Sequence, residues 1–393
     1  MQNLNLELKP QAKCDLPVRA IQFGEGNFLR GFLDWMLYKL NNQNLFNGRV
    51  IAVQPTPRGR VQPKLLNQDC LYTTILHGIK DGKEVEECDV VNTIAGCLNP
   101  YEDEQWDELK KYAVDKEVRF IFSNTTEAGI AYVKEYGLGQ KAPLSFPAKL
   151  TALLYERFKA FKGSMCACQS GMIIMPCELL DDNGDKLKAI CLKHIEDWGL
   201  EDEFKAYVTE DCQFLNTLVD RVVSGYPKDN AESYENKLGY KDELMTCGEL
   251  FHFLAIEGSD EIKTLLPFEQ ANLNVVVASC ITPYRLRKVR ILNGTHTSNV
   301  PAAFIKGLDT VDEMMDDKVT GVFARSIIYD EIIPSVKLDK SMLTAFADDV
   351  VNRFSDPYMH HQLSSILMNC TSKIKARVIP TILDARSKGF LPV

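Results

Sequence analysis

Residues 20–54 read AIQFGEGNFLRGFLDWMLYKLNNQNLFNGRVIAVQ, and this stretch decides the fold class. The apolar run Ala20–Phe23 is long enough for a short strand, and it ends at a glycine. From Phe28 to Leu40 the apolar residues recur at helical spacing and form one apolar stripe. A second apolar run, Val50–Val53, follows. A strand, a glycine turn, a helix and a second strand in this order predict an α/β domain.

The glycine turn reads F-G-E-G-N-F-L-R-G-F from Phe23. Gly24 permits a tight turn, and Gly26 lets a phosphate approach the backbone at the start of the helix. The third glycine of the dinucleotide-binding pattern is absent, since Leu29 holds its position, and Arg30 could add positive charge to a phosphate contact. A G-x-G alone also fits an ordinary turn between a strand and a helix. The preceding strand and the amphipathic helix therefore carry the prediction of a dinucleotide site.

The end of the second strand bears on the choice of cofactor. A carboxylate at this place usually binds the ribose 2′-hydroxyl of NAD. Here the position is Gln54, and the loop after it carries Arg58 and Arg60. Either arginine could meet the 2′-phosphate of NADP, or both could lie in a solvated loop. The residues alone therefore leave NAD and NADP open.

The rest of the sequence divides into a mixed part and a helical part. A hairpin is predicted where residues 71–79 and 85–91 flank the turn dipeptide Asp81-Gly82. From Pro283 onward helical periodicity dominates, in the segments 283–305, 318–333, 340–354 and 361–385. We expect an α/β domain that binds the cofactor over residues 1–270. A mainly α-helical domain that holds the substrate and catalytic residues is expected over residues 271–393.

Composition limits the class of protein and its partners. The 393 residues are 45% hydrophobic and 25% charged, which is typical of a globular protein of two domains. The net charge of −9 argues against a nucleic-acid partner, because phosphate binding needs a basic face. We expect neither a signal peptide nor a membrane span, since no apolar run has the required length. The prediction is a cytoplasmic protein, monomeric or a small homo-oligomer, that acts on a small molecule.

The cysteines predict no metal site. The chain has twelve of them, and without an export signal they are expected to be reduced thiols. Cys166 and Cys168 form a C-x-C pair, but no second pair lies at the spacing of a zinc site. We expect most of the cysteines to be small core residues.

The segment PYRLRKVRILNGTHTSNV, residues 283–300, carries a second set of candidate residues. Lys288, Asn293 and His296 fall within a sector of roughly 140° if the segment is one regular α-helix. All three side chains could then point into one cleft. Gly294, beside Asn293, would let a ligand or another backbone come close.

These residue types suit the reduction of a carbonyl group. When hydride adds to the carbonyl carbon, the oxygen needs a proton and hydrogen-bond donors. A lysine near other cations, here Arg285, Arg287 and Arg290, can titrate near neutral pH and carry that proton. Asn293 can stabilise the developing oxyanion and His296 can bind a substrate hydroxyl. The alternative is a solvated basic face with a structural histidine.

The K-x4-N-x2-H pattern after a P-Y-x-x-R run resembles that of the mannitol dehydrogenase family of long-chain, metal-independent dehydrogenases. The resembling blocks span nearly the whole chain: IQFGEGNFLRGFLDW at 21–35, FSNTTEAGI at 122–130, IIMPCELLDDNGD at 173–185, TLVDRVVSGYP at 217–227, RKVRILNGTHT at 287–297 and DPYMHHQLSSILMN at 356–369. The resemblance implies a Rossmann-type N-terminal domain, a largely helical C-terminal domain and NAD(H) bound between them.

The resemblance also implies roles for individual residues. Lys288 would be the proton donor and acceptor, Asn293 would stabilise the oxyanion, and His296 would orient the substrate. Asp220, in a D-R motif, and the loop after residue 122 would lie beside the cofactor. The predicted cofactor-binding residues are Phe23, Gly24, Gly26, Asn27, Phe28, Arg30, Ser123, Asn124, Thr125, Glu127 and Asp220.

Within the family the blocks are most similar to those of members that act on hexuronates. The implied activity is the reversible reduction of D-tagaturonate to D-altronate with NADH. Fructuronate or a neutral polyol such as mannitol is an alternative substrate, and an inactive cofactor-binding protein is a further alternative. The expected positions for binding a substrate carboxylate are Arg353, His360, His361 or Arg377.

Two features depart from the family pattern. Leu179 takes the place of a second asparagine that assists the oxyanion in members that act on polyols. The sequence also stops at Leu391-Pro392-Val393, where relatives of the reductase type usually continue through further helices. We therefore expect either a short variant of the C-terminal domain or a truncated product.

Overall fold

The structure is a computed structural model that describes residues 1–80, 82–135, 137–163 and 170–390. Asp81 of the predicted hairpin turn, the Cys166/Cys168 pair and the last three residues lie outside this part of the chain. Two compact units are present. The first comprises Met1–Ile75, Cys88–Gly248 and His252–Ser279, and the second comprises Leu76–Glu87, Glu249–Phe251 and the chain from Cys280. The predicted boundary at residue 270 stays a prediction.

The strands of the described residues lie between Val18 and Ala278. They are β1 (Val18–Phe23), β2 (Arg49–Val53), β3 (Tyr72–Lys80), β4 (Lys83–Val91), β5 (Ile94–Leu98), β6 (Phe120–Ser123), β7 (Ile173–Pro176), β8 (Gln213–Phe214), β9 (Thr217–Asp220), β10 (Val223–Gly225), β11 (Thr246–Glu249), β12 (Phe253–Glu257) and β13 (Val275–Ala278). Strands β3 and β4 lie where the sequence predicted a hairpin.

Six of these strands form the main sheet of the first unit, in the order β5-β2-β1-β6-β7-β8. All adjacent pairs are parallel. Numbered along the chain within this sheet, the order is 3-2-1-4-5-6, which is the strand order of a Rossmann fold. Most residues of these strands are apolar, and every residue of β6 and β7 is buried, because helices cover both faces of such a sheet. The predicted α/β class is confirmed.

Helices of the first unit follow and separate these strands. They are α1 (Asn27–Gly31), α2 (Leu33–Asn41), α3 (Gln62–Asn67), α4 (Asp103–Val114), α5 (Phe146–Phe161), α6 (Asn183–Asp197), α7 (Asp202–Ala206), α8 (Ala231–Leu238) and α9 (Asp260–Leu265). The sequence predicted one helix from Phe28 to Leu40. The structure divides it at Phe32, whose backbone (φ −129°, ψ −85°) leaves the helical region, although Leu29, Leu33 and Leu37 are buried as predicted.

A smaller sheet extends the first unit. In it β12 pairs in parallel with β13 and antiparallel with β9, with Leu254 opposite Val219. Strands β10 and β11 pair antiparallel and belong to a four-stranded sheet with the order β10-β11-β3-β4. These additions place Asp220, the end of β9, opposite Phe253.

The second unit is mainly helical, as predicted. Its helices are α10 (Thr282–Lys288), α11 (Gly294–Ile305), α12 (Val311–Asp316), α13 (Thr320–Ser326), α14 (Ile333–Ser335), α15 (Lys340–Phe354), α16 (Leu363–Leu367), α17 (Cys370–Lys373) and α18 (Ile379–Ser387). Their apolar faces form one core that includes Ile291, Ile328, Leu343 and Leu363. None of the helices in the described part of the chain has the length and apolar character needed to cross a membrane.

Candidate active site

The glycine turn lies where the carboxyl ends of three parallel strands meet. The Gly24 amide donates to the carbonyl of Val53 at the end of β2 (3.0 Å), and the Asn124 amide donates to the carbonyl of Phe23 (3.0 Å). Gly24 has φ +118°, and a Cβ at this position would lie 2.8 Å from the Asn124 carbonyl oxygen. Any other residue here would therefore be strained and would collide with backbone. Gly24 makes the turn possible, as predicted.

The other two glycines of this region have different functions. Gly26, the N-cap of α1, is exposed, and a Cβ built on it meets no protein atom within 4 Å. The protein itself thus imposes no need for glycine at this position. A Cβ on Gly31 would lie 3.0 Å from Thr246 and 3.1 Å from Val223. Gly31 therefore allows the close packing of α1 that the third glycine provides in the usual dinucleotide-binding pattern.

Arg30 lies inside the first unit, and it is not placed for the phosphate contact that the sequence suggested. It is 2% exposed, and its guanidinium donates to the carbonyl of Glu25, to Asn27 Oδ1 (2.7 Å) and to Thr246 Oγ1 (3.2 Å). The guanidinium also lies 5.6 Å from the ring centre of Tyr72. These contacts hold the turn and α1 together, so Arg30 positions the glycine turn.

A buried polar pair supports the same turn from below. Gln22 donates through Nε2 to the carbonyl of Gly24 and to Asp34 Oδ2, both at 3.1 Å. Burial raises the pKa of Asp34 from 3.8 to about 7, against the opposing effect of the Gln22 hydrogen bond. Desolvation likewise raises the pKa of Glu25, which lies between the two glycines, to about 7. The carboxyl groups nearest the turn therefore carry less negative charge than exposed ones would.

The loop after β6 is held by one carboxylate. Glu178, directly after β7 and Cys177, accepts hydrogen bonds from Ser123 Oγ (3.0 Å), the Thr125 amide (2.9 Å) and Thr125 Oγ1 (3.0 Å). Its side chain is 2% exposed, and burial raises its pKa. Asn124 donates to the carbonyl of Cys177 (2.7 Å). Glu178 thus fixes the conformation of residues 123–125.

A cavity opens beside this loop. Its volume is about 420 Å³, and its lining residues are Phe28, Asn124, Thr126, Glu127, Ala128 and Leu179. Thr126 has φ +73° and ψ 165°, a backbone conformation that is nearly restricted to glycine and that stores about 1–3 kcal/mol of strain. Leu179 exposes 64% of its surface. The cavity brings together predicted residues from the glycine turn and from the loop after β6.

Other predicted residues of the first unit lie in its strands and loops. Gln54 is buried and donates to the carbonyl of Thr56 (2.7 Å), whereas Arg58 and Arg60 are exposed. Asp220 is 6% exposed, and its neighbour Arg221 donates to the carbonyl of Gly31 (2.7 Å) at the end of α1. The cofactor contact of Asp220 stays a prediction.

In the second unit, Lys288, Asn293 and His296 lie on one helical run that is not a regular α-helix. A π-turn, Val289–Asn293, separates α10 from α11. Each π-turn inserts one residue, which sets the helical rotation back by about 100°. On a regular helix Lys288 and His296 would differ by about 80°, so the π-turn reduces the difference to about 20°. The predicted spacing of the residues therefore describes their arrangement only once the π-turn is included.

His296 is a buried, neutral imidazole. Its ring stacks on Phe354 with 4.1 Å between centres and an interplanar angle of 11°, and His361 meets it edge-on at 5.5 Å. Nε2 is buried and has no hydrogen-bond partner among the described residues. Burial, and then the positive charges of nearby side chains, hold the pKa of His296 well below 6.5. The unpaired nitrogen can therefore accept from, or donate to, a ligand hydroxyl.

Two arginines of this region are engaged in ion pairs. Arg290 pairs with Asp384 (2.7 Å), so its charge is neutralised and it fastens α18 to the helical run. Arg353, suggested for a substrate carboxylate, forms a two-pronged pair with Glu249, with Nε and Nη2 each at 2.8 Å from a carboxylate oxygen. The guanidinium of Arg353 is thus already paired with a carboxylate.

Glycine is not required at position 294, since a Cβ there would meet its neighbours at 3.6 Å or more.

The described residues contain no group of three or more His, Cys, Asp or Glu side chains that could hold a metal ion. The ten cysteines among them are free thiols, and most are buried.

Comparison with known proteins identifies the family. The sequence model of the mannitol dehydrogenase Rossmann domain matches residues 18–270, and that of the mannitol dehydrogenase C-terminal domain matches residues 280–392. The chain belongs to the mannitol dehydrogenase family. The family resemblance predicted from the sequence is thereby confirmed.

Several proteins that are named altronate oxidoreductase are similar to this chain in sequence. That of Halalkalibacterium halodurans is 44% identical over 369 residues, which are 94% of this chain and 71% of that protein. That of Bacillus subtilis is 44% identical over 378 residues (96% and 77%). That of Escherichia coli is 42% identical over 394 aligned positions (100% and 80%).

Two solved structures of the mannitol dehydrogenase fold also match. D-sorbitol dehydrogenase in substrate-free form aligns with a TM-score of 0.79 at 21% identity, over 98% of this chain and 82% of that one. Pseudomonas fluorescens mannitol 2-dehydrogenase, in a ternary complex with NAD and D-mannitol, aligns with a TM-score of 0.74 at 21% identity (98% and 80%). At this identity the match concerns the fold.

The edge of the main sheet is chemically suited to a dinucleotide. Ligands of open α/β sheets bind outside the carboxyl ends of the strands where the strand order reverses, here between β1 and β6. The exposed Gly26 leaves the space in which a side chain would stand at the start of α1, as close approach of a phosphate requires. The cavity beside it is lined by Phe28 and Leu179 as well as polar residues. The residues at this edge of the sheet are therefore suited to bind NAD.

Sequence reasoning missed the two residues that organise this edge. Glu178 lies 55 positions from Ser123, so its function is visible only once the strands are placed side by side. Gly31 was overlooked because it falls outside the usual glycine pattern. The contact of Glu178 could have been predicted only from the topology of the sheet, because β6 and β7 are parallel neighbours that end at the same edge.

Proposed function

We propose that this chain is an NAD-dependent oxidoreductase that interconverts D-tagaturonate and D-altronate. The observation that carries the proposal is the 42–44% identity to altronate oxidoreductases over 94–100% of the chain. Identity of this extent supports the same reaction class and substrate. The substrate is then a sugar acid, as the family resemblance of the sequence implied. Cytoplasmic localisation, and a monomer or small homo-oligomer, stay predictions.

The cofactor residues proposed in the first unit are those predicted from the sequence. Phe23, Gly24, Gly26, Asn27 and Phe28 form the turn and the start of α1, and Gly26 offers its backbone to the pyrophosphate. Ser123, Asn124, Thr125 and Glu127 form the loop held by Glu178. Arg30 acts through Asn27 and the turn. NAD(H), held by these residues, would supply the hydride acceptor for altronate and the hydride donor for tagaturonate.

The catalytic residues proposed in the second unit move one proton and orient one hydroxyl. In the reductive direction Lys288 gives a proton from Nζ to the carbonyl oxygen of the substrate, and in the oxidative direction it takes the hydroxyl proton back. The Asn293 amide donates to the same oxygen as negative charge develops on it. The unpaired Nε2 of His296 binds a neighbouring hydroxyl and so fixes the orientation of the carbonyl.

A substrate panel tests the proposal. Keto-uronates, neutral ketoses and polyols are assayed with NAD(H) and with NADP(H). The reaction is followed by the absorbance of the reduced nicotinamide at about 340 nm. We expect D-tagaturonate with NADH to have the highest kcat/KM. A higher value for a neutral polyol would overturn the sugar-acid assignment. Nucleotide binding without turnover of any substrate would show an inactive cofactor-binding protein.

Replacement of the lysine tests the mechanism. Lys288→Ala should lower kcat by about 10²- to 10⁴-fold, because that is the usual contribution of general acid–base catalysis. Lys318→Ala, a change at an exposed lysine of the same unit, is the matched control and should leave kcat unchanged. A loss of less than about tenfold in Lys288→Ala would exclude Lys288 as the proton carrier.

A further inference from the structure

One helical segment of the second unit approaches the residues around His296. It consists of α17 and the π-turn that follows it, Ile374–Val378. The carbonyl oxygen of Arg377 lies 3.7 Å from the position that a Cβ on Gly294 would occupy. Arg377 Nη1 donates to Thr297 Oγ1 at 3.4 Å. The Arg377 side chain is thus held against the short stretch of chain that carries both Asn293 and His296.

Two partly buried cations of this segment, Lys373 and Arg377, have no carboxylate partner among the described residues. Among the described residues, neither Arg377 nor Lys373 forms an ion pair, and Lys373 donates only to the carbonyl of Ile366 (2.7 Å). Both side chains are partly buried. Lys373 precedes Arg377 by four residues, across the π-turn. The two side chains would differ by about 40° on a regular helix and by about 60° in the opposite sense with the π-turn included, so both lie on one side of the segment. Their charges therefore add on the same side.

Two other buried arginines of the same unit do have carboxylate partners. Arg353 is matched by Glu249, and Arg290 is matched by Asp384, at distances of 2.7–2.8 Å. The chain as a whole has a net charge of −9, so carboxylates are not scarce. An unmatched, partly buried guanidinium loses hydration without gaining a counter-ion, which is unfavourable unless an anion is bound there. Arg377 shows this loss, since burial lowers its pKa.

A second observation also points to a ligand. His296 is 7% exposed and its Nε2 has no partner among the described residues. Burial first, and then the neighbouring His361, Arg353, Arg377 and Lys373 side chains, lower the pKa of this imidazole. Arg353 is paired with Glu249, whereas Arg377 and Lys373 form no ion pair among the described residues. The unpaired Nε2 of His296 could bind a hydroxyl group, and the nearby Arg377 and Lys373 could bind an anionic group. Together they suit a ligand that carries both groups.

We infer that Arg377 and Lys373 form an anion subsite beside His296 that binds the carboxylate of the sugar-acid substrate. Arg377 offers two parallel N–H donors, which match the two oxygens of a carboxylate, and Lys373 adds a point charge. The inference rests on the proposed function and assigns to these two residues the preference for an acid over a neutral sugar. An anionic group of the cofactor could meet the same chemistry, so the experiment separates the two sources.

The experiment compares an acid with its neutral counterpart. D-tagaturonate and D-tagatose, which carries a hydroxymethyl group instead of the carboxylate, are assayed with the full-length enzyme and NADH. The variants are Arg377→Met, Arg377→Lys and Lys373→Met. Lys375→Met, at an exposed lysine in the same π-turn, is the matched control. For each variant kcat/KM is measured for both sugars, together with the KM for NADH and the melting temperature.

Arg377→Met should lower kcat/KM for the acid by about 10- to 150-fold, the usual effect of losing a hydrogen bond to a charged group, and leave the neutral sugar almost unchanged. Lys373→Met should have a smaller effect of the same kind, and Lys375→Met none. Arg377→Lys, which keeps the charge, should lose less than Arg377→Met. If Arg377→Met does not fold, the loss of acid preference in Arg377→Lys and Lys373→Met decides the matter.

Two results would overturn the subsite. In the first, the wild-type enzyme prefers the acid but the variants keep that preference. In the second, the variants raise the KM for NADH and lower activity on both sugars equally, which would assign the anion to the cofactor. A wild-type enzyme that prefers the neutral sugar would instead refute the proposed function, so the two failures are distinguishable.

Discussion

Replacing Glu25 with glutamine should make the first unit more stable than in the wild-type protein at pH 8, and about equally stable at pH 4.5. Glu25 lies between Gly24 and Gly26, is 4% exposed, and has an Oε2 atom without a hydrogen-bond partner among the described residues. Burial raises its pKa from 4.5 to about 7, which exceeds the opposite effects of its own backbone and of Arg30. Glutamine has the same shape and never ionises.

The size of the effect follows from linkage between protonation and folding. In the unfolded chain Glu25 has a pKa near 4.5, and in the folded protein near 7. The stability due to the bound proton is therefore fully present below pH 4.5 and is lost as the pH rises to about 7. A difference of this size corresponds to about 3 kcal/mol, since one pKa unit is about 1.4 kcal/mol. The glutamine variant lacks this loss.

Urea denaturation at several pH values between 4.5 and 8 measures the effect. The three tryptophans of the chain, Trp35, Trp106 and Trp198, all belong to the first unit, so their fluorescence reports on that unit alone. The free energy of unfolding of Glu25→Gln minus that of the wild type should rise with pH by up to about 3 kcal/mol. Glu117→Gln, at an exposed position, is the control. A difference that is the same at pH 4.5 and pH 8 would refute the reasoning.

Three further predictions concern the cofactor edge. Gly24→Ala should lose both stability and NADH affinity, because its Cβ would lie 2.8 Å from the Asn124 carbonyl and its φ is +118°. Gly26→Ala should keep the melting temperature, since a Cβ there meets no protein atom within 4 Å, but should weaken NADH binding measured by fluorescence titration. Equal affinity for NADH in Gly26→Ala and the wild type would place the pyrophosphate elsewhere. Glu178→Ala should raise the KM for NADH by about tenfold or more, because the partly buried Thr125 amide loses its acceptor, at about 1–3 kcal/mol. Glu178→Gln keeps one acceptor oxygen and should be milder, and similar effects of the two replacements would argue against a positioning function.

The sequence by itself determined the α/β class of the first unit and the order of its first strand, helix and second strand. The apolar runs 20–23 and 50–53 and the stripe from Phe28 to Leu40 indicated strand, helix and strand, because residues buried on both faces or on one face must be apolar. The sequence also predicted a tight turn at Gly24, and the structure gives this residue a positive φ that disfavours other residues. Helical periodicity after Pro283 likewise identified the second unit as mainly helical.

The tertiary structure alone decided how distant residues and irregular turns form the site. The hydrogen bond from Thr125 to Glu178 joins positions 53 apart, and the ion pair of Arg353 and Glu249 joins positions 104 apart. Periodicity records which side of an element is buried, but it does not state which other element covers that side. The π-turn at Val289–Asn293 has no composition of its own, because packing around the helix selects it. For that reason the mutual orientation of Lys288 and His296 could be obtained only from the folded chain.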